Sequence, residues 1–178
     1  MYETSFHSQD FSSKKFLVTG GAGFIGSNLV EYLLAHNAKK IVILDNLSTG
    51  SQQNIDIVLQ SIPEEKRRSI QFIKGDICTL DDCHKACEGI DYVFHQAALG
   101  SVPRSIKNPL ATHLVNATGF INLLIAARDA KVKRTVYASS SSVYGDSTQL
   151  PKVEEIISKT HSPYADSKIT NELYGEIF

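Results

Sequence analysis

Three features of the 178-residue sequence predict an α/β fold built on a doubly wound parallel sheet. Short apolar runs alternate with stretches of helical periodicity, at spacings that allow right-handed crossovers. A glycine-rich turn follows the first apolar run, and an acidic residue closes the second. Hydrophobic residues make up 42% and charged residues 21%, values of an ordinary globular chain, so disorder throughout is excluded. The length suits one domain, predicted to span 14–178, preceded by a polar segment over 1–13 that is either a loose arm or a short cap.

The first strand begins at Lys15 and holds Phe16, Leu17 and Val18. It breaks into Thr19-Gly20-Gly21-Ala22-Gly23-Phe24-Ile25-Gly26, after which Ile25, Leu29, Leu33 and Leu34 recur at helical spacing. A second strand over 41–44 ends at Asp45, and 46–50 is loop. Residues 55–60 read as helix and 63–68 as a charged connector. The third strand, 70–73, runs into Gly75-Asp76-Ile77, and 80–87 is a short helix. The fourth, 92–94, leads into His95-Gln96-Ala97-Ala98. Residues 109–130 form one long helix, with Pro109 in the first turn, where a missing N–H costs nothing. The fifth strand, 135–138, leads into a run of four serines at 139–142. A loop over 150–160 precedes a last helix over 163–178.

Gly20, Gly23 and Gly26 stand between a strand and a helix. The first permits the tight turn, the second lets backbone approach a pyrophosphate, and the third lets helix and strand pack closely. The helix start supplies free N–H groups and the positive end of a dipole. Asp45 sits near the separation of about 20 residues expected of a ribose-binding acid. Its carboxylate would accept from the ribose 2′-hydroxyl and repel a 2′-phosphate, which points to NAD rather than NADP. The fold is therefore Rossmann-like. Asp76 follows the third strand, where it can meet the adenine edge or cap the next helix.

Tyr164 and Lys168 lie one helical turn apart on one face of the last helix. An ammonium near a phenol favours the phenolate, which makes a tyrosine usable as a base near neutral pH. A hydroxyl of the serine run can orient a substrate oxygen.

Together these residues resemble the extended short-chain dehydrogenase/reductase family. The stretches Ser139-Ser140-Ser141-Ser142-Val143-Tyr144-Gly145-Asp146 and Ser162-Pro163-Tyr164-Ala165-Asp166-Ser167-Lys168 resemble its nucleotide-sugar 4-epimerases. The segment from His95 to Ser105 is similar to the UDP-N-acetylglucosamine 4-epimerases of surface-polysaccharide synthesis. The resemblance implies Tyr164 as the base on the sugar 4-hydroxyl and Lys168 as the group that lowers its pKa and holds the nicotinamide ribose. It implies Ser140 as the catalytic serine, with Ser141 and Ser142 as rivals that also line the substrate. Phe24 and Ile25 would present backbone to the pyrophosphate. Asn46 and Ile77 would stand beside the adenosine, and Gln96, Ala97 and Ala98 beside the nicotinamide. Asn116, in an Asn-x-x-Gly119 pattern, would help position the cofactor, and Ser101 and Arg104 would face the sugar. The implied substrate is a UDP-sugar, UDP-N-acetylglucosamine or UDP-glucose, and a homodimer is implied.

The 4,6-dehydratases of this family carry an Asp-Glu pair in the serine segment, and the decarboxylases carry a glutamate there. Here Ser141 and Ser142 occupy those places, which favours epimerisation. Family members run to nearly twice this length, so the sheet is expected to stop short of a C-terminal substrate domain. The alternative to an epimerase is a non-catalytic NAD-binding fragment.

The formal net charge of -1 leaves no basic excess for non-specific nucleic-acid binding. A mean hydropathy of -0.11 and the lack of a long uncharged apolar run argue against a membrane span. Three cysteines and no signal peptide read as reduced thiols in the cytoplasm. Cys78, Cys83, His84 and Cys87 match no zinc spacing, so no metal is expected. His95 reads as a hydrogen-bonded structural residue. Lys131, Lys133 and Arg134 read as a solvated helix end, and exposed apolar surface is expected on the last helix.

Overall fold

A computed structural model describes residue 2 and residues 4–178; Met1 and Glu3 of the predicted arm lie outside the described residues. Among the described residues five strands form one parallel sheet: β1 (Lys15–Thr19), β2 (Lys40–Asp45), β3 (Ile70–Lys74), β4 (Tyr92–His95) and β5 (Arg134–Tyr137). Their order is β3-β2-β1-β4-β5. The chain winds outward from β1 in both directions, as expected of a doubly wound sheet, and the reversal between β1 and β4 opens a crevice at the strands' carboxyl ends. Thr19 ends β1 in register with Leu44 on one side and His95 on the other.

The central strands read as continuous apolar runs because both faces of the sheet are covered. Phe16, Val18, Ile41 and Ile43 pack on one face against Val30 and Leu33 of α1 (Phe24–Ala35) and Ile55 of α2 (Gln52–Gln60). Leu17, Val42, Leu44 and Val93 pack on the other. Opposite them, a short turn α3 (Glu64–Arg67) aside, stand Cys83 of α4 (Leu80–Cys87) and Leu123. All three cysteines are unpaired, and Cys83 and Cys87 are core residues. Burial pushes both of those thiols up to about 12.

Four local readings are corrected. Val102–Lys107 is a helix, α5, which Ser101 caps by accepting from the Arg104 N–H at 3.2 Å. The connector over 63–68 contains the turn α3. The helix expected over 109–130 is α6 (Pro109–His113), a π turn (Leu114–Thr118) and α7 (Gly119–Asp129) in succession. Lys133 pairs with Asp91 at 2.8 Å and Arg134 opens β5, so neither serves a helix end.

The same helical stretch corrects the reading of hydropathy. Pro109–Asp129 contains an 18-residue window of mean hydropathy 1.5, half of it buried inside the molecule. Phe120, Leu123 and Ala126 have less than 2% exposure. The apolar run is there because the helix lies on the sheet.

The described part of the arm packs rather than dangles. Phe6 stacks on Tyr32 of α1 and donates its N–H to the Tyr32 hydroxyl at 3.0 Å. Phe11 meets Phe16 edge-on. β5 is an edge strand, and its Val136 is 46% exposed. The last helix, α8 (Pro163–Ile177), exposes Leu173 and Ile177, as expected.

Candidate functional site

The glycine turn is built by close approach. Gly20 has φ +68°, and a Cβ there would lie 2.6 Å from Ala97 N. A Cβ on Gly26 would lie 2.2 Å from the Gly20 carbonyl oxygen. The turn is held by the Gly20 N–H donating to Leu44 O at 2.8 Å and the Gly23 N–H to Gly20 O at 3.0 Å. Gly23, the residue that starts α1, offers no side chain to its first amides. The loop after β2 clamps the turn from above: Ser51 N–H and Asn54 Nδ2 both donate to Ala22 O, at 3.0 and 2.8 Å.

Asp45 ends β2 almost buried. Its Oδ2 accepts from the Ala22 N–H at 2.9 Å and its Oδ1 from the Leu47 N–H at 2.8 Å. A carboxylate has about four acceptor sites, so two stay free for ribose hydroxyls. Asp76 accepts from Asn46 Nδ2 at 2.9 Å and from the Cys78 N–H at 2.8 Å. Burial works to raise this carboxyl, but those two hydrogen bonds hold it below its ordinary value. The residue capping α4 is Thr79, so of the two roles read for Asp76 the helix cap is not observed.

Thr19 and His95 support the other wall. The Ala97 N–H donates to Thr19 Oγ1 at 3.3 Å, and Thr19 Oγ1 lies 2.6 Å from His95 Nδ1. Burial first, then the Lys168 charge, pushes His95 down to about 3. This is the structural histidine expected. Asn116 lies in the π turn and holds Leu99 at both ends: Leu99 N–H to Oδ1 at 2.8 Å, Nδ2 to Leu99 O at 3.2 Å. Asn122, which sequence reasoning missed, donates to Ile77 O and Cys78 O, each at 3.0 Å. Gly119 lets α7 close on Ile77, whose Cδ1 would be 2.7 Å from an added Cβ.

These elements line a cleft at the switch point of the sheet. Of the expected cofactor residues, Gly20, Gly23, Asp45, Asn46, Asp76, Ile77, Gln96, Ala97 and Ala98 line it. So do Ser48, Thr49, Gly50, Leu99 and Val115, which carry no motif. The side chains of Phe24 and Ile25 do not; they are 83% and 60% exposed, beside Tyr2 and Phe6 of the arm. Only their backbone is available to a phosphate. Ser101 Oγ accepts from the Arg104 N–H at the start of α5, Arg104 is exposed, and neither lines the cleft.

The serine run and α8 meet beyond the end of β5. Ser139 Oγ donates to Glu172. Ser140 accepts from Ser142 twice, from its N–H at 3.2 Å and its Oγ at 2.8 Å, and so starts a 3₁₀ turn over Ser141–Tyr144. Ser162 caps α8 by accepting from the Ala165 N–H at 3.1 Å, and Pro163 opens its first turn. Lys168 is 3% exposed and its Nζ donates to Ala138 O at 2.8 Å. Burial pushes it down to about 8. Tyr164 stands one turn before it.

The family model for the NAD dependent epimerase/dehydratase family matches residues 16–177. The chain belongs to that family. The UDP-glucose 4-epimerase of Mycolicibacterium smegmatis is 39% identical over 164 residues, 91% of this chain and 50% of that protein. Among solved structures, the UDP-N-acetylglucosamine 4-epimerase of Methanobrevibacter ruminantium in complex with UDP-N-acetylmuramic acid is 38% identical with a TM-score of 0.81. It covers 93% of this chain and 50% of its own. The dTDP-glucose 4,6-dehydratase of Streptomyces venezuelae, with NAD bound, is 34% identical with a TM-score of 0.80, over 89% and 49%. The chain thus spans about half the length of the relatives it matches. What it shares with them is the epimerase/dehydratase sheet and its cleft, both epimerases and a dehydratase being represented. The arm over 1–13 lies outside the family match.

Proposed function

We propose that this chain binds NAD in the cleft and carries the proton-transfer residues of a UDP-sugar 4-epimerase. The observation that supports this most is the joining of a glycine turn to an acid with free acceptor sites: Ala22 of the turn is bonded directly to Asp45. The turn fits a pyrophosphate, since side chains at Gly20 and Gly26 would collide with backbone. Asp45 would hold the adenosine ribose, and Asp76 with Asn46 would meet the adenine.

Bound in this cleft, NAD would supply a reversible hydride acceptor for sugar C4. Tyr164 would take the 4-hydroxyl proton and give it back. Lys168 would hold the nicotinamide ribose and favour the phenolate. Ser140 is the best of the serines for the substrate oxygen. It accepts two hydrogen bonds from Ser142, which leaves its own proton to donate, whereas Ser139 is tied to Glu172. No carboxylate stands at Ser141 or Ser142, which disfavours dehydration. UDP-N-acetylglucosamine is the first substrate to try, UDP-glucose the second. The setting is the cytoplasm, with no membrane and no nucleic acid involved, and a homodimer is expected.

The second reading is an NAD-binding unit without turnover, favoured by the half-length match to the relatives. Incubating the purified chain with UDP-N-acetylglucosamine and NAD, and following the anomeric protons by NMR, separates the two. Conversion that disappears in Tyr164→Phe supports the epimerase. NAD binding without conversion supports the second reading, and no NAD binding by folded chain overturns both.

Asp45→Asn tests the ribose site. One of the two backbone donors would then face an amide NH₂. A loss of about 1–2 kcal/mol in urea unfolding is expected. NAD should weaken and NADP should gain relative to it. Unchanged NAD/NADP selectivity would remove Asp45 from the ribose site.

A further inference from the structure

We infer that Asn171 is a positioning residue that sets the cleft wall at Ala97, Ala98 and Leu99, although it lies outside the cleft itself. The inference rests on the NAD reading above for its functional meaning, but not for its geometry.

Asn171 lies on α8, the helix of Tyr164 and Lys168, one turn after Ser167, and is 1% exposed. With its amide nitrogen turned toward acceptors, it donates to Asn116 O at 2.8 Å and to Ser167 O at 3.0 Å. Asn116 O belongs to the π turn. A π turn displaces the ordinary helical hydrogen-bond ladder, so its carbonyls need other donors, and such turns gather at functional sites. The Asn116 side chain is 1% exposed and makes three hydrogen bonds: with Leu99 N–H, Leu99 O and, at 3.1 Å, Ser167 Oγ. Asn171, Ser167, Asn116 and Leu99 therefore form one buried amide network. One end is the helix that carries Tyr164 and Lys168. The other is the loop that lines the cleft beside Ala97 and Ala98.

The chemistry demands an amide at 171. The two atoms it faces are both carbonyl oxygens, so a donor of two protons fits and a carboxylate does not. Removing it takes this donor from both buried carbonyls, and Ser167 O keeps only its partner in the helical ladder of α8. The strain falls on the π turn, and through Asn116 on Leu99.

Hydrogen exchange reads this directly, because the Leu99 N–H donates to Asn116 Oδ1. In Asn171→Leu the Leu99 amide should exchange about tenfold faster, the loss of roughly one hydrogen bond's protection. The amides of Leu17 and Ile43 in β1 and β2 should keep their protection. NAD should bind about tenfold more weakly. Asn171→Ser retains one donor and is the milder variant, expected to fall between. Leu99 exchange unchanged in both variants, or rising in step with Leu17 and Ile43, would overturn the inference, since the second result is general destabilisation. Should the wild-type chain fail to bind NAD, the NAD reading falls, and the Leu99 exchange still decides whether Asn171 holds the wall.

Discussion

Gly26→Ala is expected to cost at least about 3 kcal/mol of folding stability and to abolish NAD binding. The added methyl would meet Gly20 O at 2.2 Å, Gly21 Cα at 2.7 Å and Gly20 C at 2.8 Å. All three are backbone atoms, so no rotamer change relieves the contact. Either α1 lifts off β1 or the turn opens. Val30 and Leu33 anchor α1 in the core, so lifting exposes buried apolar surface. Opening the turn breaks the Gly23 N–H to Gly20 O bond. Two companion variants separate fold from binding. Gly23→Ala meets only Gly20 O, at 3.2 Å, so it should fold nearly normally while its methyl intrudes on the phosphate path. Gly100→Ala meets nothing within 4 Å and should change neither. Urea unfolding and calorimetric titration with NAD measure both quantities. A Gly26→Ala chain that kept wild-type stability and NAD affinity would refute the packing argument.

Lys168→Met is expected to stabilise the chain at neutral pH while removing its function. The ammonium is buried, and burial brings it from 10.5 down to about 8. Between these values the unfolded chain holds more protons than the folded one, so stability rises with pH across the window and is lowest below it. The full penalty below pH 8 is about 3 kcal/mol. The bond to Ala138 O returns about 1 kcal/mol. Methionine fills a similar volume without the charge, so a net gain of about 2 kcal/mol at pH 7 is expected, shrinking as pH rises from 8 to 10.5. Urea midpoints for both chains across that range test it, and parallel profiles would show that the lysine is not paying for its burial. Such a cost makes sense only where the charge has work to do. A nicotinamide ribose and the Tyr164 phenol would be partners for it, so energy withheld from folding would reappear in binding.

The sheet was legible because a doubly covered parallel strand admits few polar residues. Phe16-Leu17-Val18 and Ile41-Val42-Ile43-Leu44 announce themselves. The glycine turn and Asp45 were legible because close approach excludes every other residue type at Gly20 and Gly26. The rest depended on tertiary structure. α5 has six residues, too few for a periodic apolar face, and its only mark is Ser101 ahead of Pro103. The π turn meets Asn171 and Ser167, which hydrogen-bond Asn116 from more than fifty residues away along the chain. Leu99 and Val115 line the cleft as apolar residues, indistinguishable in sequence from core. The uncharged stretch within Pro109–Asp129 is hard to see in the sequence for a related reason: its apolar side chains alternate with Thr112, Asn116 and Asn122, which break the run.

One feature of α1 couples ligand to fold. Its first turn starts at Gly23, with no serine, threonine or aspartate to close it, while α2, α5, α6 and α8 each begin under a side-chain cap. The helix is thus unfinished at the end that faces the cleft. An anion that settles there does the job of the missing cap, and by mass action it draws the population toward the intact helix. Occupancy and helix integrity then become two readings of one equilibrium. A ligand bound there would be, in that sense, the last residue of the fold.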